Sequence, residues 1–425
     1  MSLVERDKKV VWHPFTQAQT ERDPLPIVKA EGSLLYDEEG KSYIDCNSSW
    51  WVNVHGHGHP HIRKAINEQF KEIDHIVLAG ATHPKVVELA ERIVDTLPTG
   101  YSRVFYSDNG STAVEVAIKM VMQYWFNKGT PKKRFLALEG AYHGDTFGAM
   151  SLGQRGYFNK PFEDFFFQAD YLPFPSQENE EKCLQQADKL FSTGEFAGVI
   201  VEPLVQGSAG MQMYRPEFLN KLMKIAKSHE VLFIFDEVMT GWGRTGEMFA
   251  MNHCDATPDI VCLSKGITGG TLPLGLTVTK EPIFEAFLDE DKMKALLHGH
   301  SYTGNPLACA AACATLDLFE TEESKSNIQR ICDQHEAFVN KIKGKYNLRD
   351  LRQCGTILAI EIEIGEGSSY FSNVREKAIE HFYGNGMLLR PLGNVLFLNP
   401  PYCTTNEQLE YCYEKIEEFL KEKAV

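Results

Sequence analysis

The 425-residue chain reads as an α/β protein in which a mainly parallel central sheet, with helices on both faces, is joined to a smaller α+β domain. Three observations predict this. Short apolar runs rich in β-branched and aromatic residues alternate with helical periodicities through the middle of the chain. Those runs are continuous rather than alternating, as expected of strands covered on both faces. After a charged stretch, Glu320 to Ser326, the pattern turns to mixed helices and short strands. A composition with 43% hydrophobic and 24% charged residues is compatible with a large core.

In chain order, strand-like runs fall at 103 to 106, 134 to 138, 197 to 202, 231 to 236, 259 to 264 and 274 to 279, with helical patterns at 111 to 127, 215 to 229 and 305 to 320. Beyond residue 326 come a helix, the run Thr356 to Ile362, another helix, short strands around Leu388 and Leu396, and a last helix from 405. The expected division is an N-terminal segment 1–60 contributing to the small domain, a large domain 61–325 and a C-terminal small domain 326–425.

Chemistry-bearing residues gather at the strand ends. The run Asp259 to Ser264 delivers Lys265 to the glycine-rich stretch Gly266 to Gly270. An amine placed there is desolvated, which lowers its pKa and frees its lone pair for carbonyl chemistry. Val231 to Phe235 ends in Asp236 and Glu237, and ligands in open α/β sheets collect at the carboxyl ends of strands. A carboxylate there can keep a pyridine nitrogen protonated; its plainer alternative is a helix cap. Arg103 to Ser107 leads through Asp108-Asn109-Gly110-Ser111 into a long helix, and N–H groups at Gly110 and Ser111 suit a phosphate. The prime reading of the lysine is an imine with pyridoxal phosphate.

A formal net charge of -15 argues against a nucleic-acid or anionic-membrane partner. The first residues lack the apolar region of a secretory signal and no stretch approaches the length of a membrane span, so a cytoplasmic location is expected. Ten scattered cysteines without a Cys-x-x-Cys pair suggest buried thiols rather than disulfides or a structural zinc. His55, His57, His59 and His61 alternate with Gly and Pro and form a rival metal-binding reading, but lack the carboxylate or cysteine pattern of a catalytic zinc centre; no metal is expected.

Taken together, Lys265, Asp236, the Gly110-Ser111 turn, Tyr142-His143-Gly144 and Gly241-Trp-Gly-Arg244-Thr-Gly246 resemble the class III, or ω-type, aminotransferases of the fold-type I pyridoxal-phosphate superfamily. Trp12-His13-Pro14-Phe15-Thr16, Ser48-Ser-Trp50-Trp51, Tyr142 to Met150 and Leu389-Arg390-Pro391 further resemble the 7,8-diaminononanoate synthases of biotin biosynthesis. The resemblance implies that Lys265 binds the coenzyme and shuttles the proton. It implies that Asp236 pairs with the ring nitrogen, that Gly110 and Ser111 hold the phosphate, and that Tyr142 and Val238 press on the two ring faces. Gly299, His300 and Ser301 are expected to reach the phosphate side of a neighbouring subunit's site, making a homodimer.

Expected substrate contacts are Phe15, Trp50, Trp51, Tyr142, Asp145, Gly299 and Arg390, with Arg390 as a carboxylate fork and the tryptophans walling an alkyl channel. Arg244 and Glu202 rank second, as residues that brace the site. The implied reaction is ping-pong transfer of an amino group to 8-amino-7-oxononanoate, with S-adenosylmethionine as first-choice donor. Members using that donor commonly carry Tyr where this chain has Phe15 and Pro where it has His300, so a lysine donor is the alternative. An ω-aminotransferase acting on ornithine, 4-aminobutyrate or a diamino acid, and a catalytically silent homologue, are the remaining readings.

Overall fold

The computed structural model describes residues 1–156, 158–365 and 373–423. Its centre is a seven-stranded sheet of β1 (Tyr101–Ser107), β2 (Arg134–Leu138), β3 (Ala169–Leu172), β4 (Phe196–Val201), β5 (Leu232–Asp236), β6 (Ile260–Leu263) and β7 (Gly275–Lys280), in spatial order β1-β7-β6-β5-β4-β2-β3. The pairings from β3 to β6 are parallel, whereas β7 runs antiparallel to both β6 and β1. The sheet is thus mainly parallel, as its sequence suggests. Every residue of β4 and β6 is buried, which is why these runs are uninterruptedly apolar.

Because β2, β4, β5 and β6 are parallel, the loops that follow them emerge from one edge. Antiparallel β7 begins at that edge, with Gly275 opposite Ser107. A Cβ on Gly275 would lie 2.3 Å from the Asn109 carbonyl oxygen, so only glycine lets the strand pass the turn that opens the helix Gly110–Asn127.

The elements missed by sequence periodicity are short or shallow. β3 has four residues, only one of them buried; the helices Pro60–Glu72, Pro84–Thr96 and Glu180–Phe191 are amphipathic segments that the sequence reading did not separate from loops. The charged stretch at 320–326 lies at the junction of two helices, Pro306–Glu320 and Glu322–Ile342. Thr321 accepts from the Ser324 N–H and opens the helix Glu322–Ile342, with Glu322 and Glu323 in its first turn, where carboxylates favour the positive end of the helix dipole.

Chain ends meet away from the large sheet. Strands Ile27–Glu31, Leu34–Asp37 and Ser42–Asp45 form one sheet with Met387–Leu388, through parallel pairing of Ile44 with Met387. A second small sheet joins Leu348–Cys354, Ile357–Ile362 and Val395–Leu398. This arrangement carries Ser48–Trp51 and Arg390 toward the open edge of the large sheet.

Candidate active site

The cavity at the strand ends has a volume of about 780 Å³ and is lined by residues distant in sequence, including Phe15, Trp50, Gly110, Tyr142, Asp236 and Lys265. Ser111, Trp51, Asp145, Glu202 and Val238 also line it.

Lys265 follows β6 and starts a short 3-10 turn, Lys265–Thr268. Its φ of 49° is left-handed, a strained state for a lysine that persists only where neighbours over-determine it. Here the neighbours are Trp242, whose Nε1 donates to the Ser264 carbonyl at 2.9 Å, and Ser264, whose hydroxyl donates to the Leu274 carbonyl at 2.6 Å. A Cβ on Gly266 would meet Val54 and Trp242 within 3.0 Å. The Lys265 ammonium lies 5.0 Å over the Trp51 ring. Burial pushes its pKa below the ordinary lysine value, opposed by the carboxylates of Asp236 and Glu202.

Asp236 ends β5 without a helix behind it, which removes the helix-cap reading. One oxygen accepts from the Val238 N–H at 3.1 Å and the other faces His143 Nδ1 at 2.7 Å. His143 is buried and its Nε2 has no protein partner. Glu202, at the end of β4, accepts from the Tyr142 N–H at 3.0 Å and the Gly207 N–H at 2.9 Å. Burial raises its pKa to about 7, with His143 opposing and Asp236 reinforcing the shift.

The helix Gly110–Asn127 points its start at the cavity. Asn109 caps it through the Thr112 N–H at 3.0 Å, so the cap itself does not use the N–H groups of Gly110 and Ser111. A Cβ on Gly110 would sit 2.6 Å from Val238 Cγ1, and one on Gly144 would sit 2.0 Å from Ser111 Oγ. Val238, the helix start and the Tyr142 loop are therefore packed as one cradle. The Tyr142 hydroxyl donates to Asp145 at 2.9 Å, and the Asp145 N–H donates to Ser111 Oγ at 3.2 Å.

At the outer end, Phe15 meets Trp50 edge-on at 5.8 Å and Phe158 at 6.0 Å. The Arg390 guanidinium lies 5.4 Å over the Trp50 ring, and the Arg390 N–H donates to Asn47 Oδ1 at 2.8 Å. Arg244 is wholly buried, donating to the Pro400 carbonyl at 2.8 Å and lying 5.2 Å over the Tyr402 ring; its position is that of a brace behind Trp51. Gly299, His300 and Ser301 do not line this chain's cavity; Gly299 and Ser301 are exposed on it.

The alternating histidines do not converge on a metal. His57 Nε2 meets Asp45 at 2.8 Å, His61 Nε2 meets Asp317 at 2.7 Å, and buried His55 packs 4.4 Å from Phe319. Among the described residues no group of three or more His, Cys, Asp or Glu side chains is arranged to hold a metal ion. Sequence reasoning missed the His143–Asp236 contact, although His143 stood inside a quoted motif. The signal was a histidine following a strand in a loop that also contains Tyr142 and Asp145.

Comparison with known proteins agrees with this geometry. The family described as aminotransferase class-III matches residues 16–420. The adenosylmethionine-8-amino-7-oxononanoate aminotransferase of Synechococcus elongatus is 43% identical over 97% of this chain and 98% of its own length. The like-named structure from Methanocaldococcus jannaschii is 37% identical, with a TM-score of 0.93 over 99% of this chain and 98% of that one. An amine transaminase from an uncultivated Pseudomonas species, solved in its PLP-bound form, is 28% identical with a TM-score of 0.90, covering 97% of this chain and 98% of that one. With a strand-end lysine and carboxylate, a helix start and an aromatic channel in one cavity, and with the family matched over nearly its whole length, the chain belongs to the class III aminotransferases.

Proposed function

We propose that the protein uses pyridoxal phosphate to transfer an amino group from S-adenosylmethionine to 8-amino-7-oxononanoate, yielding 7,8-diaminononanoate for biotin synthesis. The observation that carries the choice of substrates is full-length similarity to relatives bearing that name, at 43% identity in the Synechococcus elongatus enzyme.

The residues present fit the coenzyme. A lysine whose charge is disfavoured by burial, a carboxylate for a ring nitrogen, and a helix start kept open by Gly110 lie around one cavity. When bound, the group supplies an electrophilic carbonyl carbon and a ring that delocalises negative charge. Lys265 Nζ is the base that takes the proton from the amine-bearing carbon of the donor, and burial supports this by favouring its neutral form. Asp236 holds the ring-nitrogen proton, and His143, 2.7 Å away, fixes that carboxylate. Gly110 and Ser111 bind the phosphate through the helix start. Tyr142 and Val238 hold the ring from either side and exclude water.

For the substrates, the Arg390 guanidinium takes a carboxylate by two parallel hydrogen bonds. Trp50, Trp51 and Phe15 line the alkyl path, and Asp145 with the Tyr142 hydroxyl receives an ammonium. Phe15 offers an aromatic edge and no hydroxyl, so lysine stands as the second donor. A second copy of the chain is proposed to bring Gly299, His300 and Ser301 to the phosphate side. Their place outside their own cavity, beside exposed Leu297 and Tyr302, supports this.

The test is to load the protein with pyridoxal phosphate and offer S-adenosylmethionine and lysine separately. The donor is expected to bleach the visible band, and subsequent 8-amino-7-oxononanoate to restore it with 7,8-diaminononanoate detected by mass. A preparation that never colours, or a Lys265→Ala variant that colours normally, overturns the reading.

A further inference from the structure

The segment Ser48–Trp51 carries both channel tryptophans in a conformation that its own sequence resists. Ser48, Ser49 and Trp51 have φ of 49°, 58° and 67°, and Ser49, with ψ of -98°, lies outside even the usual left-handed helical region. None of the three is glycine, so something outside the turn must hold it.

What holds it is Asp45. This carboxylate is fully buried. It accepts from the Ser49 N–H through both oxygens, at 2.9 and 2.8 Å, and from the Asn47 N–H at 3.2 Å. Its remaining partner is His57 Nε2 at 2.8 Å, so an ionised Asp45 requires the ring proton on that nitrogen. His57 is itself fixed, because its backbone exchanges two hydrogen bonds with Gly32, at 2.7 and 3.0 Å.

The same turn is bolted to the arginine. Asn47 accepts from the Arg390 N–H at 2.8 Å and donates to the Phe397 carbonyl at 3.0 Å, while the Ser48 hydroxyl donates to the Asn399 carbonyl at 2.8 Å. Trp50 lies under the Arg390 guanidinium and Trp51 under the Lys265 ammonium. A shift at Ser49 therefore moves the carboxylate fork and the channel wall together. His57, read from sequence as a possible metal ligand, has a different use here.

We propose that Asp45 and His57 form a positioning pair that holds the strained Ser48–Trp51 turn and so sets the affinity of the substrate channel, without touching substrate. The idea rests on the aminotransfer reading only for the identity of the substrates. His57→Leu removes the donor to Asp45, and His57→Gln keeps one near the same place. Ser49→Gly removes the strain at Ser49, the residue of the three that lies outside even the usual left-handed region; the Ser49 side chain is exposed.

The experiment compares the coenzyme-loaded wild type with His57→Leu, His57→Gln, Ser49→Gly and the His57→Leu/Ser49→Gly pair. KM for the acceptor is expected to rise about tenfold in His57→Leu with kcat changed less than about threefold, the pattern of lost binding rather than lost chemistry. Coenzyme absorbance should be retained, the Gln variant should lie near wild type, and the double variant should recover most of the KM. An unchanged KM in His57→Leu, or a KM defect that Ser49→Gly does not relieve, overturns the proposal. If His57→Leu gives no folded protein, the double variant decides: folded enzyme of near-normal KM supports the pair, and a second failure refutes it. Loss of colour in the wild type would instead count against the coenzyme reading.

Discussion

Replacing Gly110 by alanine tests the proposed coenzyme cradle with one methyl group. At the start of a helix, alanine is backbone-compatible and a better helix former than glycine, so any loss must come from contact. The added Cβ would lie 2.6 Å from Val238 Cγ1, 3.2 Å from Cγ2 and 3.5 Å from Cβ. Carbon atoms in contact prefer about 3.5 Å or more, so one side must retreat by nearly 1 Å. Neither is free to do so. Val238 is buried and its N–H is bonded to Asp236, while the helix behind Gly110 buries Ala113, Val114, Val116 and Ala117. Overpacking of this kind costs about 1 to 3 kcal/mol. If the strain is relieved by moving Val238 or the helix start, pyridoxal phosphate should bind roughly 5- to 150-fold more weakly. Titrating coenzyme-free protein and following the visible band measures this directly. Val238→Ala deletes the two clashing methyl groups, so a double-mutant cycle should show a coupling of about 1 kcal/mol or more. Unchanged affinity in Gly110→Ala, or strict additivity with Val238→Ala, would refute the reasoning.

Three further outcomes follow from the same geometry. Burial raises the folded-state pKa of Glu202 and Glu237 to about 7 from an ordinary 4.5, so the folded protein binds these protons more tightly than the unfolded chain; the penalty is absent below the unfolded value and complete above the folded one. Each carboxyl thus costs about 3 kcal/mol as pH rises through that window, and Glu202→Gln should flatten the fall in melting temperature of coenzyme-free protein between about pH 5 and 8. Arg352, buried against Glu361 at 2.8 Å, donates to the Gly210 and Met211 carbonyls at 2.6 and 2.8 Å; Arg352→Leu should cost about 3 kcal/mol in urea unfolding, and a loss below about 1 kcal/mol would show that Arg349, whose Nε lies 3.4 Å from the other Glu361 oxygen, alone satisfies it. Tyr142→Phe deletes the bond to Asp145, worth about 0.5 to 1.5 kcal/mol, so kcat/KM should fall roughly 2- to 12-fold with coenzyme binding retained.

Much of the large sheet was legible because its strands are buried on both faces: a continuous apolar run ending in Lys265 or Asp236 leaves little freedom in assignment. The turn at Gly110 was legible for a related reason, since Asn, Gly and Ser between a strand and a helical periodicity mark a helix start. β3 was not, because four edge residues of which only Leu172 is buried carry no comparable pattern. Glu202 was legible as a second-rank brace of the site but not as a cavity-lining carboxyl with a raised pKa, because both facts depend on strand order: β4 lies next to β5 only in the folded sheet. Asp45 and His57 are closer in sequence, yet their relation depends on the hairpin that carries Gly32 to the His57 backbone.

The contrast has a physical basis that also bears on function. The strand-end residues are local consequences of a favourable fold, so local patterns reveal them. The adjustments around them are locally unfavourable: Lys265 and residues of the Ser48–Trp51 turn hold left-handed backbone, and Glu202, Glu237 and Arg244 are ionisable groups in the interior. Several are sustained by partners outside their own turn, Trp242 for the Lys265 turn, Asp45 held by His57 for the tryptophan turn, and the Ala250 and Met251 N–H groups for Glu237. Strain and buried charge concentrated at one edge of an otherwise well-packed sheet imply that stability has been given up there for preorganisation. Substitutions that relax these features, Ser49→Gly among them, should therefore be tolerated by the fold more readily than substitutions that strand their partners, such as Asp45→Asn, which leaves the turn strained and weakens what restrains it.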